Sequence, residues 1–269
     1  MLAITRSPAV AGRFYPADSR ALNAEIDAFL GEAPTSEPAF AVVAPHAGYL
    51  YSGAIAGSVY RRIRVPDNVV VIGPNHTGRG EPVAIMTEGA FEIPGDTIPI
   101  ARELATRIFD SGVFDRDDLA HRFEHSLEVQ LPFLHRRNPE LRLVPICLSV
   151  RSYAQCLDTG RALARAIEGT TGGALLVAST DMSHYVTADD ARRLDLRALE
   201  RLVALDPEGL YRTVVEHRIS MCGFIPTTVA LIAAKELGAR EAEIVRYGHS
   251  GEITGDHSSV VAYAAAIVR

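Results

Sequence analysis

The sequence predicts an α/β fold, a single domain over residues 1–269 with one mostly parallel central sheet flanked by helices. Three observations carry that expectation. The runs "FAVVA" at 40–44, "NVVVIG" at 68–73, "LRLVPICL" at 141–148 and "ALLVAS" at 174–179 are apolar along nearly their whole length. Strands read this way when both faces of a sheet are covered, as parallel sheets are. Longer segments of helical spacing fall between these runs, and strands alternating with helices build parallel βαβ units. Finally, 269 residues with 48% hydrophobic and 22% charged content describe an ordinary globular chain, long enough to bury one large core.

A first helix should precede the loop "GEAPTSEPA" at 31–39, which is a connection rather than a domain boundary. After the strand at 40–44 a helix is expected over 54–62, then the strand at 68–73 and a helix over 102–111. In "AHRFEHSLEVQLPFLHRR" the residues Leu127, Leu131 and Leu134 share one helical face, and Pro132 should bend or break that helix. The strand at 141–148 holds Cys147 as a core residue. Helices over 153–168, 189–204 and 226–237 surround the strand at 174–179, and "EIVRY" and "SVVAYAAAIV" close the chain as strands.

Several classes are excluded. No apolar window is long enough to span a bilayer, and "MLAITRSPAV" lacks the apolar stretch of a secretory signal, so a cytoplasmic, non-membrane protein is the default. The 3 cysteines, Cys147, Cys156 and Cys222, form no CxxC pair and suggest neither a disulfide framework nor a zinc ribbon. With 27 basic and 33 acidic residues the net charge is −6, and scattered basic residues leave no nucleic-acid footprint.

In open α/β sheets ligands bind outside the carboxyl ends of the strands. Three strand ends there carry imidazole: "APHAGYLYSG" supplies His46, "GPNHTG" supplies His76, and "ASTDMSHY" supplies Asp181 and His184. Adjacent loops of this kind assemble metal and catalytic sites from distant parts of a chain. Pro45, Gly48, Gly73, Pro74 and Gly78 fix the turns around them. Each residue also has a plainer reading. A lone histidine after a strand is commonly a hydrogen-bonding group, and Asp181 suits a helix cap. Cys222 in "MCGFIP" falls just before a helix whose N-terminus would lower its pKa and favour the metal-binding thiolate. His121, Glu124, His125 and Glu128 crowd the start of the leucine-striped helix, either as a polar first turn or as hydrogen-bond partners and proton relays beside a site. Phe14, Tyr15, Tyr49 and Tyr51 flank these loops and could line a pocket or simply pack.

The ordered motifs "SPAVAGRFYPAD", "APHAGYLYSG", "VVVIGPNHTG", "EHSLEVQLPFL", "ASTDMSHY", "MCGFIP" and "GHSGEITGDHSSVVAYAA" resemble the Memo family, the Memo component of the AmmeMemoRadiSam system, over about residues 8–266. That resemblance implies a fold similar to class III, LigB-type extradiol dioxygenases, which are non-haem iron enzymes. It implies iron or copper, with zinc less favoured, at His46, His76 and Cys222, with Asp181 and His184 beside the metal. By analogy His184 would be the acid/base and His125 a secondary polar group. Phe14, Tyr51 and His184 would border a pocket that animal members use for phosphotyrosine peptides. Radical-SAM and AMMECR-type proteins are the implied partners. The chain departs from the dioxygenases in offering Cys222 where they place a carboxylate, a softer donor, and from animal Memo proteins in having Phe14 in place of tryptophan. Three functions follow as expectations: a metal-dependent redox enzyme of unknown substrate, a phosphopeptide- or anion-binding module in the same pocket, and a zinc hydrolase.

Overall fold

The structure, a computed structural model, describes residues 4–32 and 36–269. The chain opens with β1 (Thr5–Arg6) and α1 (Ser19–Leu30), which starts where the Asp18 carboxylate accepts from the Ala21 N–H. The fully buried β2 (Ala41–Ala44) leads into α2 (Tyr49–Tyr60) and then β3 (Asn68–Pro74). An excursion follows through β4 (Val83–Ile85), β5 (Ala90–Ile93), β6 (Asp96–Pro99), α3 (Arg102–Phe109) and β7 (Asp115–Arg116). Next come α4 (His125–Glu128), α5 (Leu131–Arg137), β8 (Arg142–Leu148) and α6 (Tyr153–Glu168), whose start carries a complete Ser152–Gln155 capping box. The remaining elements are β9 (Leu175–Ser179), β10 (His184–Val186), α7 (Ala188–Val203), α8 (Pro207–Glu216), α9 (Phe224–Glu236), β11 (Ala242–His249), α10 (Gly251–Thr254) and β12 (Val260–Val268).

The expected α/β class holds. In the main sheet, strand order runs β10-β12-β2-β9-β3-β8-β4-β7, with β11 also on β12. Its centre, β2, β9, β3 and β8, is parallel, whereas β12 pairs antiparallel with β2 and β4 antiparallel with β8, so the whole sheet is mixed. A smaller sheet, β1-β5-β6, lies apart. Register fixes what the carboxyl edge can assemble. Ala44 is level with Ser179 and Ile72 with Ala178, so the loops leaving β2, β9 and β3 open side by side.

Packing decides where the sequence pattern was ambiguous. α2 begins at Tyr49, five positions before the expected 54, and so takes Tyr51 into its first turn. It is buried on most sides and has no amphipathic stripe to read. Close contact with α1 holds it: a Cβ at Gly57 would meet the Phe29 backbone carbonyl at 2.7 Å. The leucine-striped segment breaks as Pro132 requires, into α4 and α5, with the proline tolerated in the first turn of α5. Pro226 is likewise tolerated inside the first turn of α9, which starts at Phe224. Of the loop at 31–39, residues 33–35 lie outside the described residues, as do residues 1–3 of the N-terminal segment. Among the described residues no helix is long and apolar enough to cross a membrane. Cys147 is fully buried, as expected of a core residue.

An aromatic cluster under the carboxyl edge connects core to site. Tyr49, Tyr60 and Phe29 pack around Phe133 with ring centroids 5.0, 5.4 and 6.2 Å away, contacts worth about 0.5–1.5 kcal/mol per pair beyond burial. The Tyr49 hydroxyl donates to the Val129 carbonyl (2.8 Å) and the Tyr60 hydroxyl to Gln130 Oε1 (2.7 Å). The joint between α4 and α5 is thereby fixed from below.

Candidate metal centre

Three imidazoles converge at the carboxyl edge. One donor atom each from His46, after β2, His76, after β3, and His125, at the start of α4, lie within 4.8 Å of one another. Nitrogens bound at ~2.1 Å to one tetrahedral ion are ~3.4 Å apart, a spacing compatible with that limit.

Hydrogen-bond bookkeeping settles which nitrogen of His46 faces the centre. Ser179 Oγ lies 2.7 Å from the Ser126 carbonyl, which can only accept, so the hydroxyl donates there. It therefore accepts from Gln130 Nε2 (2.8 Å) and from His46 Nδ1 (2.9 Å). His46 carries its proton on Nδ1 and presents the Nε2 lone pair. Gln130 holds its place through Tyr60 and the Pro45 carbonyl (2.9 Å). The chain from aromatic core to metal donor is continuous.

Glu124 does the same for His76. Its fully buried carboxylate accepts from the His76 N–H (2.6 Å), His76 Nδ1 (2.9 Å) and the Ser126 N–H (2.9 Å), and lies 3.5 Å from His125 Nδ1. Burial pushes its pKa upward, but the hydrogen bonds from His76 and Ser126 outweigh that and hold it below the usual carboxylate range. An ionised carboxylate cannot donate, so His76 is also protonated on Nδ1 with Nε2 free. Burial and the neighbouring imidazoles hold His46 and His125 below the usual histidine range, which keeps their lone pairs available.

Cys222 lies just before the Gly223 cap of α9, with Sγ 3.2 Å from His46 Nε2. The expectation of a lowered thiol pKa is not met. Burial and the nearby Asp181 charge push it up to about 12, overriding the hydrogen bonds from Asp181, Thr180 and Gly223. The neutral thiol then donates to the Nε2 lone pair. Gly223 makes the close approach possible: a Cβ there would fall 2.5 Å from Thr180 Cβ and inside the Ser179 carbonyl.

Asp181 Oδ1 accepts from the His46 backbone N–H at 2.8 Å, so this carboxylate holds the His46 loop and does not cap a helix. Burial raises its pKa to about 6 against the hydrogen bond from His46. His184 turns Nδ1 to the Ser220 carbonyl (2.9 Å), leaving Nε2 as an acceptor. Phe14 packs edge-on against His125, centroids 5.0 Å apart. Tyr51 is partly exposed at the start of α2. With Leu50, Phe123 and Tyr185 it belongs to a set of exposed large apolar side chains on the site-bearing loops. Tyr185 has φ 58°, a left-handed conformation costly for a non-glycine residue.

A buried clamp supports α4 from the N-terminal segment. Arg6 pairs with Glu128 and donates to the Glu124 carbonyl (2.7 Å), while Glu128 accepts from the Ala9 and Val10 N–H groups and the Tyr15 hydroxyl (2.6 Å). Sequence reasoning placed His46, His76, His125 and Cys222 among its candidates. It missed Ser179 and Gln130, ordinary residue types whose roles arise only from tertiary hydrogen bonds.

The family model for Memo-like protein matches residues 6–267. A MEMO1 family protein of Aquifex aeolicus is 43% identical over 260 residues, covering 96% of this chain and 97% of its own. One of Methanopyrus kandleri is 40% identical over 281 residues, covering 98% and 99%. Among solved structures, an uncharacterized protein of Escherichia coli K12 superposes with a TM-score of 0.50 at 14% identity over 84% of this chain and 98% of that one, a likeness of fold alone. Nearly full-length similarity of sequence, carried by a chain whose carboxyl edge gathers these imidazoles, shows that the protein belongs to the Memo-like family.

Proposed function

We propose that this chain is a metal-dependent redox enzyme, related to the class III extradiol dioxygenases, whose iron or copper ion is held by His46, His76 and Cys222, with His125 near enough to join them. One observation carries the reading: His46 and His76 each have Nδ1 tied to an acceptor behind, Ser179 and Glu124, so that both Nε2 lone pairs face one point. Residues packed as ordinary core histidines have no need of such matched tautomers. A bound iron or copper ion would supply redox and Lewis-acid chemistry with positions open to oxygen or a chelating substrate.

The protein's own groups would then divide the remaining work. His184, with Nδ1–H committed to Ser220, offers Nε2 as general base. Asp181 keeps the His46 loop in place and, with its raised pKa, can hold a proton near neutrality. Phe14 and Tyr51 wall the approach to the ion. The substrate reading is a phenolic or diol compound, and radical-SAM and AMMECR-type proteins are the candidate partners in which the physiological reaction is completed.

The test is metal analysis of protein purified without oxygen, beside His46→Ala, His76→Ala, Cys222→Ala and His125→Ala variants, followed by oxygen uptake with catechol. Wild-type protein should carry iron or copper that the variants lose. Iron, copper and zinc no higher than in the variants would end the metal reading. A three-imidazole set equally suits zinc with an open position, so zinc occupancy with no oxygen uptake would favour a hydrolase. The exposed aromatic rim favours a peptide- or anion-binding module only if binding survives complete chelation.

A further inference from the structure

A large cleft lies at the opposite edge of the sheet from the imidazoles. It has a volume of about 1140 Å³ and is lined by Arg64, Arg102, Arg107 and Arg142. Asn68 opens β3, Arg142 opens β8, and Gly173 lies two residues before β9, so the cleft sits at the amino ends of strands whose carboxyl ends bear the candidate metal centre. The seven residues of β3 separate the two by roughly 20 Å.

Its charge is unusual for this molecule. Four arginines face two carboxylates, Asp67 and Glu103, in a chain of net charge −6. The carboxylates are already engaged: Asp67 accepts from Asn138 Nδ2 (3.1 Å), and Glu103 meets Arg107 at 3.5 Å. Among the described residues the guanidinium groups of Arg64, Arg102 and Arg142 have no hydrogen bond or ion pair, and here three such groups line one cleft. A second observation is independent of the side chains. α3 starts in this cleft with no side-chain cap, so the N–H groups of Glu103 and Leu104 are left open toward it. Thr171 adds a hydroxyl on the same wall, while that of Thr170 is committed to the Ala166 carbonyl (3.0 Å).

We propose that this cleft binds a small organic molecule carrying two or more phosphate groups. Each guanidinium offers a planar fork of donors that matches phosphate oxygens, and an uncapped helix start favours the same charge. One carboxylate would satisfy one fork. Three exposed, unpartnered forks around a single cleft match several anionic groups on one ligand, and the volume exceeds what inorganic phosphate alone would fill.

The experiment is calorimetric titration of the full chain at physiological salt, with inorganic pyrophosphate and ADP as probes. Three proteins accompany the wild type: the variant Arg64→Ala/Arg102→Ala/Arg142→Ala; a charge-matched control, Arg193→Ala/Arg201→Ala/Arg212→Ala, on α7 and α8; and His46→Ala at the candidate metal centre. The three cleft arginines, exposed and without partners, should be removable with no change in unfolding midpoint, which verifies folding of the cleft variant; circular dichroism verifies the control. The expected result is binding tighter than about 1 mM, weakened at least about tenfold in the cleft variant and unchanged in the control and in His46→Ala. Tighter binding of ADP than of pyrophosphate assigns a nucleotide; equal binding assigns phosphoryl groups alone. No binding of either probe up to about 5 mM, equal weakening in the control, or loss in His46→Ala would overturn the proposal.

Discussion

Glu124→Gln tests whether the groups behind the imidazoles set the donor geometry. The native carboxylate receives the His76 N–H, His76 Nδ1–H and Ser126 N–H, and both its oxygens are used. The amide keeps the shape but exchanges one oxygen for a donor. If the new NH2 faces His76 Nδ1, the imidazole must move its proton to Nε2 and loses the lone pair that faces the centre. If it faces the His76 backbone N–H, two donors collide in a site with no solvent access. Charge-assisted hydrogen bonds contribute about 1.5–3 kcal/mol each, and removing such a partner of a metal-binding histidine typically weakens metal binding ~10- to 100-fold.

The assay is competition with a chelator of known affinity, reading metal lost from wild type and variant, with near-ultraviolet circular dichroism to show that both are folded. Glu124→Gln should lose metal at chelator concentrations ~10- to 100-fold lower than wild type. Unchanged affinity, in a background where His76→Ala does lose metal, would refute the argument that Glu124 selects the tautomer.

Two further outcomes follow from the same structure. Gly223→Ala should destabilise the protein by about 1–3 kcal/mol, since the new methyl overlaps Thr180 and the Ser179 carbonyl, and should also weaken metal binding by displacing Cys222; a normal denaturant midpoint would show the contact is soft. His121, buried between the Asp117 and Pro145 carbonyls, is held at about pKa 4, chiefly by burial. Its folded pKa lies below the unfolded value near 6.5, so the folded state binds fewer protons in between. Stability from this group is complete above about pH 6.5, falls by about 3 kcal/mol as pH drops through the window, and levels off below about pH 4. In metal-free protein, His121→Gln should flatten the decline in unfolding midpoint over that range, and parallel curves would contradict this.

What could be read from the sequence depended on how local the cause was. β2, β3, β8 and β9 announce themselves because burial on both faces demands unbroken apolar runs. β1, β4 and β7 are two or three residues long, too short for any period, and exist only because neighbours offer an edge. His46 and His76 were legible because proline and glycine punctuate the strand ends. His125 was not legible as a donor-set member: α4 is a single turn, and only its packing beneath β3 turns the ring toward His46, 5.4 Å away between centroids. Ser179 and Gln130 gave no signal because their partners stand 133 and 49 positions distant. The Cys222 thiol was misjudged for a related reason. The helix end it precedes is a local feature, whereas the burial and the Asp181 charge that dominate it are tertiary.

The structure gathers three imidazoles, and Cys222, which touches His46 but stands outside that set, competes with His125 as the third donor. Without metal, Cys222 is a neutral thiol hydrogen-bonded to His46 Nε2. A cation held by His46 Nε2 would take the place of the S–H hydrogen bond, and Cys222, with its proton lost to solvent, would then hold that cation as a thiolate. His125 requires no proton loss, but its nearest anchor, Glu124, is 3.5 Å from Nδ1, so it is held less firmly than His46 or His76. Cobalt substitution separates the two. A thiolate donor gives an intense near-ultraviolet sulfur-to-cobalt charge-transfer band, whereas imidazole donors alone leave only the weak visible bands. Wild-type protein should show the charge-transfer band, Cys222→Ser should lose it while still binding cobalt more weakly, and His125→Ala should keep it. Bound cobalt without that band in the wild type would place His125 as the third donor and leave Cys222 a hydrogen-bonding neighbour.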